Sequence, residues 1–97
     1  MGMGMTKGYI VNNITVKDEA GYANCRVTAA KTLEDAAGTF LVRGGRHEVI
    51  EGQSYERIII CEFESYEAAH AASAAVRALG DLRGDSAVAN IVVVEGV

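Results

Sequence analysis

Two stretches of this chain, Ile58-Ile59-Ile60 and Ile91-Val92-Val93-Val94, are unbroken runs of β-branched residues, and they constrain the fold more than any other feature. Successive side chains of a strand point to opposite faces. Ile59, Cys61, Phe63, Ile91 and Val93 therefore cannot share a face with Ile58, Ile60, Val92 and Val94. A sheet wet on one side should alternate apolar and polar residues. These strands do not alternate, so both faces of their sheet need cover.

The remaining pattern supplies cover for one face. GYIVNNITV (8–16) reads as a first strand, and Asp18 is an N-cap candidate for a helix in which Tyr22, Cys25, Ala29, Leu33 and Ala36 fall at steps of three and four. Gly38 is expected to end that helix through a positive φ. TFLVR and YERIIICEF read as a second and third strand, antiparallel across a short turn in which Gly44 and Gly45 supply the bend. Ser65 caps a second helix, YEAAHAASAAVRAL, with Glu67 in its first turn, and GDLRGDS loops into the last strand, NIVVVEG.

The order is βαββαβ, a ferredoxin-like α+β arrangement with two helices on one face of a four-stranded antiparallel sheet. The other face would expose an apolar patch of the size that marks association sites. A second copy laid sheet against sheet would bury it, so a homodimer is expected. The anticipated unit is one domain over residues 6–97, with residues 1–5 (MGMGM) a disordered or start-site remnant.

Composition excludes several classes. A net charge of −4 with no Lys/Arg cluster argues against nucleic acid. No apolar run approaches the roughly 18 residues of a membrane span, and the start lacks signal-peptide order, so a cytoplasmic protein is expected. Cys25 and Cys61 have no metal-ligand spacing, and with His47 and His70 scattered neither a metal site nor a cofactor is expected.

KGYIV (7–11), KDEAGY (17–22), GTFLVRGG (38–45), IEG (50–52), RIIICEFESYEAA (57–69) and VVVEG (92–96) together closely resemble the family known as domain of unknown function 1330. The resemblance implies a dimeric α+β barrel. Its superfamily includes cofactor-free monooxygenases acting on aromatic polyketides, isomerases such as muconolactone isomerase, and haem-degrading enzymes, but the family brings no reaction of its own. The chain departs from the pattern at three places. Cys25 stands where a second tyrosine is usual, Ala37-Gly38 replaces a glycine pair, and HAASAAVRALGDLR lacks the aromatic pair and Ser-Pro-Glu-Tyr segment of the second helix region. A pocket roofed by those aromatics is expected to be wider or flatter here.

Candidate chemistry is sparse. Arg43 and Arg46 flank the glycine pair beside His47, but a phosphate cradle needs glycines running from strand into helix, and here they run into another strand. By alternation Arg43 shares a face with Thr39 and Leu41, and Arg57 opens the neighbouring strand. Both could fix a substrate carboxylate, or pair with Glu48, Glu51 or Glu62 as rim ion pairs. Tyr66, His70, Ser73 and Arg77 form one helical stripe at the border of core and solvent, where an imidazole beside a phenol could move protons. Such stripes are also simply solvated faces. Tyr9 and Tyr22 are the polar aromatics expected to approach the interior. The candidate set is thus His70 and Tyr22 for catalysis, with Tyr9, Arg43, Arg57 and Tyr66 for substrate binding. Isomerase or cofactor-independent oxygenase chemistry on a small organic molecule stands against a non-catalytic binding or structural homodimer.

Overall fold

The backbone runs β1 (Gly8–Val16), α1 (Glu19–Asp35), β2 (Thr39–Arg43), β3 (Arg57–Phe63), α2 (Tyr66–Arg77), α3 (Gly80–Arg83) and β4 (Ala87–Glu95). The computed structural model describes residues 6–97, and the expectation for residues 1–5 lies outside the described residues. One sheet has the order β2-β3-β1-β4 with every pair antiparallel. This is the ferredoxin-like α+β arrangement that the periodicity predicts.

The register sorts the β-branched runs as strand geometry requires. Ile10 faces Cys61 and Val93, Asn12 faces Ile59 and Ile91, and Ile14 faces Arg57 and Ala89, all on the helix side. Val11 with Ile60 and Val92, and Tyr9 with Glu62 and Val94, point to the opposite side. On that open side Val42, Val88, Val92 and Val94 remain exposed.

The two long helices dock differently. Ser65 Oγ accepts from the Ala68 N–H and starts α2, whose Ala69 and Ala72 are fully buried and let its backbone settle onto β1, β3 and β4. Phe63, at 2 % exposure, fills the space beneath. Burying such a side chain contributes roughly 1.5–3 kcal/mol. α1, started by Asp18 accepting from the Gly21 N–H at 3.0 Å, packs its backbone on α2 and α3 instead. It reaches the sheet by side chains at its two ends. Tyr22 and Cys25 join Ile14 and Ala87 in one cluster, and Leu33 joins Ile10, Cys61 and Phe63 in another.

Four local expectations are corrected. The positive φ that ends α1 belongs to Ala37 (φ 67), not Gly38. The Ala37 and Gly38 N–H groups close the end on the Glu34 and Leu33 carbonyls, both at 2.9 Å, as a Schellman motif does. Gly38 is required for proximity instead, since a Cβ there would stand 2.7 Å from Cys61 Sγ and 2.8 Å from the Phe63 ring. The β2–β3 connection is not a tight bend at the glycine pair but a long excursion over residues 44–56, in which Gly44 (φ 69) and Gly52 (φ 84) take positive φ and Gly45 does not. Its return is held by Asn13, whose side chain accepts from the Tyr55 N–H and donates to the Arg57 carbonyl.

The third correction is a β-bulge between Phe40 and Val42. Phe40 pairs with Cys61 and Arg43 with Ile59, so Phe40 and Arg43 share the helix side, and Arg43 does not follow Thr39 as strict alternation predicts. The fourth is α3, a short helix where the sequence reads as loop.

Candidate functional site

Between the sheet and α1 lies a cavity of about 670 Å³, within the range of small-molecule sites. Its origin is local. Along α1 the residues between the anchoring ends are Arg26, Ala29 and Ala30, and two methyl groups cannot span the gap that Tyr22 and Leu33 hold open. Asn12, Ile14, Ile59 and Ile91 form the floor, Tyr22, Ala29 and Ala30 the roof, and His70, Ser73 and Arg77 the α2 wall.

The bulge in β2 brings Arg43 to this cavity, with its guanidinium carbon 4.3 Å from the centroid of the Phe40 ring. Arg57 enters from β3 opposite Ile14. Gly44 makes room for it, since a Cβ there would stand 2.6 Å from Arg57 Nε. Neither arginine pairs with Glu48, Glu51 or Glu62; among the described residues the ion pairs are Arg26–Glu19 at 3.0 Å and Lys31–Asp35 at 3.6 Å. Arg83 reaches the cavity from α3. The Nε atoms of Arg57 and Arg83 and the Asn12 Oδ1 are buried with no hydrogen-bond partner among the described residues.

Of the six candidates read from sequence, the structure brings four together: Tyr22, Arg43, Arg57 and His70 all line the cavity. Tyr22 is 8 % exposed. Burial pushes its phenol pKa up, the nearby Cys25 adds to this, and the charges of Arg26, Arg83 and Arg57 oppose it. The Arg26 guanidinium lies 5.4 Å from the centre of the Tyr22 ring. His70 is exposed at the rim, and its carbonyl accepts from the Ser73 hydroxyl at 2.7 Å.

Tyr9 and Tyr66 stand apart. Tyr9 is one position out of phase with Ile10, so it faces the open side of the sheet and donates to Glu62 Oε2 at 3.0 Å, a bond that raises its pKa. Tyr66, at the start of α2, is 37 % exposed and does not line the cavity, although its ring centre is 6.2 Å from that of His70. Cys25 and Cys61 also line the cavity, but burial raises both thiol pKa values, so neither is a poised thiolate. Among the described residues no three His, Cys, Asp or Glu side chains gather to hold a metal ion. No helix among them is long and apolar enough to cross a membrane.

Sequence reasoning passed over Asn12, Arg26 and Arg83 as site residues. Asn12 carried a signal, as a polar residue in phase with Ile10 and Ile14 on the buried side of a strand. Arg26, four residues after Tyr22, carried one as well. Arg83 carried none, because its placement depends on α3.

Comparison with known proteins places the chain as follows. The family model described as "Domain of unknown function (DUF1330)" matches residues 7–97. A crystal structure of a protein of unknown function from Rhodopseudomonas palustris superposes with a TM-score of 0.69 at 14% identity, covering 96% of this chain and 84% of that one. The methylated form of that protein gives the same TM-score and identity over 95% and 82%. A structure described as "a putative monooxygenase" from Shewanella loihica PV-4 aligns over 97% of this chain and 98% of its own at 18% identity, but its TM-score of 0.47 carries no argument. At these identities the likeness concerns the fold alone. No curated protein matches the chain.

Proposed function

The chain belongs to the DUF1330 family, and from that premise we propose that it binds a small organic molecule in the cavity beneath α1, as one half of a homodimer closed through the open face of the sheet. The observation that carries the binding reading is the cavity itself: about 670 Å³, with Ile14, Ile59 and Ile91 on its floor, Ala29 and Ala30 in its roof, and polar and cationic side chains converging around them. A chain with a purely structural role gains nothing from a gap of this size left beneath a helix.

The dimer reading rests on the open side, where Val11, Val42, Ile58, Ile60, Val88, Val92 and Val94 present an apolar surface with no helix among the described residues over it. Self-association through a twofold axis buries this surface on both copies at once. Light scattering at micromolar concentration is expected to give twice the 10.3 kDa of the chain. A Val92→Asp variant is expected to shift it toward the monomer.

His70 is the one imidazole of the cavity wall and the side chain there whose chemistry suits general acid–base transfer. Isomerase or cofactor-independent oxygenase chemistry would begin with a proton taken there from a bound substrate. Binding without catalysis has its own support. Tyr22, Cys25 and Cys61 are all held in their protonated forms by burial, which leaves His70 without an activated partner. A calorimetric screen of small organic molecules tests the binding reading, and a plain failure of all of them to bind would remove it. For any ligand found, wild-type protein should speed deuterium exchange at an acidic C–H and His70→Gln should not, if the site is catalytic. Equal, slow exchange in both would leave a binding protein.

A further inference from the structure

We infer that the molecule taken by this cavity is an organic carboxylate, its anionic group received by Arg57 and Arg83. The inference rests on the reading of the cavity as a small-molecule site and adds the chemical class. The chain has more acidic than basic residues, with a net charge of −4. Yet the cavity wall holds Arg26, Arg43, Arg57, Arg77, Arg83 and His70 and not one Asp or Glu. Among the described residues only Arg26 of these has a carboxylate partner, Glu19.

Arg57 and Arg83 stand out further, because the Nε of each is buried without a hydrogen-bond acceptor. Both residues are half-buried, so their charge is only partly solvated, and an anion entering the cavity compensates it. The paired terminal Nη–H groups of a guanidinium match the two oxygens of a carboxylate. Arg57 enters from the sheet and Arg83 from α3, so two separate elements direct positive charge into one open-mouthed cavity. Both charges, with that of Arg26, oppose the rise that burial gives the Tyr22 phenol pKa.

The rest of the wall decides what the anion is attached to. Ile14, Ile59, Ile91 and Phe40 offer an apolar bed, and Asn12 adds one neutral hydrogen-bonding group on the floor. No glycine-rich loop running into a long helix lines the cavity to cradle a phosphate with backbone N–H groups, and guanidinium groups alone receive the planar carboxylate as well. A carboxylate on a compact apolar body fits this set.

The test is a calorimetric titration of the full chain with benzoate, benzamide and phenyl phosphate. Benzoate is expected to bind one per subunit, at least about tenfold more tightly than benzamide. Arg57→Met and Arg83→Met should each weaken benzoate by about tenfold or more while leaving benzamide within about twofold. Arg46→Ala, in the exposed 44–56 segment, should change nothing. Ligand-free Arg57→Met should melt at least as high as wild type, since it removes a half-buried charge that has no carboxylate partner; a structural arginine would give a lower melting point. If Arg57→Met does not fold, Arg57 is structural, the role given to it is refuted, and Arg83→Met decides whether a carboxylate is still received. Equal binding of benzoate and benzamide, or tighter binding of phenyl phosphate, overturns the carboxylate assignment and leaves the cavity reading standing. Binding of none of the three overturns both.

Discussion

Helices α1 and α2 lie on the same side of the same sheet and are both rich in alanine, yet one closes a core and the other roofs a cavity. In α2, Ala69 and Ala72 point straight at the strands, and their small size lets the backbone descend until they are buried. In α1, Tyr22 and Leu33 act as props near either end, and Ala29 and Ala30 between them cannot reach down. Alanine shortens the distance where nothing holds the helix away and leaves a void where something does. The same residue type therefore has opposite consequences, decided by its neighbours three to eight positions along the helix.

The sharpest way to break this contrast is to truncate an aromatic on each side. Phe63→Ala, beneath α2, is expected to cost about 3–5 kcal/mol in chemical denaturation, whereas Phe40→Ala, on the cavity wall, should cost well under half as much. Equal losses would mean that the two sides are packed alike. Enlarging the alanines runs the comparison in reverse. Ala69→Leu should destabilise by about 1–3 kcal/mol through overpacking. Ala30→Leu should leave stability unchanged or raise it while weakening ligand binding.

A smaller effect concerns the prop at the end of α1. Ala37 holds φ 67 to form the turn that follows Leu33, a conformation costing an L-residue roughly 1–2 kcal/mol. Ala37→Gly is therefore expected to raise the melting temperature, with a gain of about 1 kcal/mol after the entropy of the new glycine is offset. A lower melting temperature would show that the turn is not under strain.

The smallest expected effect is on pH. Tyr22 and Cys25 in α1 and Cys61 beneath it have pKa values raised by burial, from ordinary values of 10.0 for the phenol and 9.0 for the thiols. The folded chain holds these protons to higher pH than the unfolded chain does. The stability they contribute is whole below the ordinary values and is lost as pH rises through the raised ones. The melting temperature should thus fall above about pH 9, less steeply in Tyr22→Phe. A slope indifferent to that substitution would place the titrating groups elsewhere.

Much of the fold was legible because its signals are local and mutually consistent. Two-sided β-branched runs gave a sheet covered on one face by helices, and Asp18 and Ser65 marked both helix starts. The site was less so, for identifiable reasons. Arg43 reaches the cavity only through the bulge at Leu41, and a strand apolar on both faces carries no alternation from which a bulge could be read. Arg83 depends on α3, a single turn with no side-chain cap. Ala37 takes the left-handed position while Gly38, beside it, is needed for close contact with Cys61 and Phe63, so the residue type pointed to the wrong one of the two. The void itself is invisible to periodicity, which reports which way Ala29 and Ala30 point and not how far they are from the floor.

If the space beneath α1 receives a small organic acid, anomalous diffraction from a crystal soaked in 4-iodobenzoate should find the iodine inside it. An iodine peak between Ala30 and the Ile59–Ile91 floor, with the carboxylate toward Arg57 and Arg83, is the predicted result. Iodine found only on the exterior or on the open side of the sheet would contradict it.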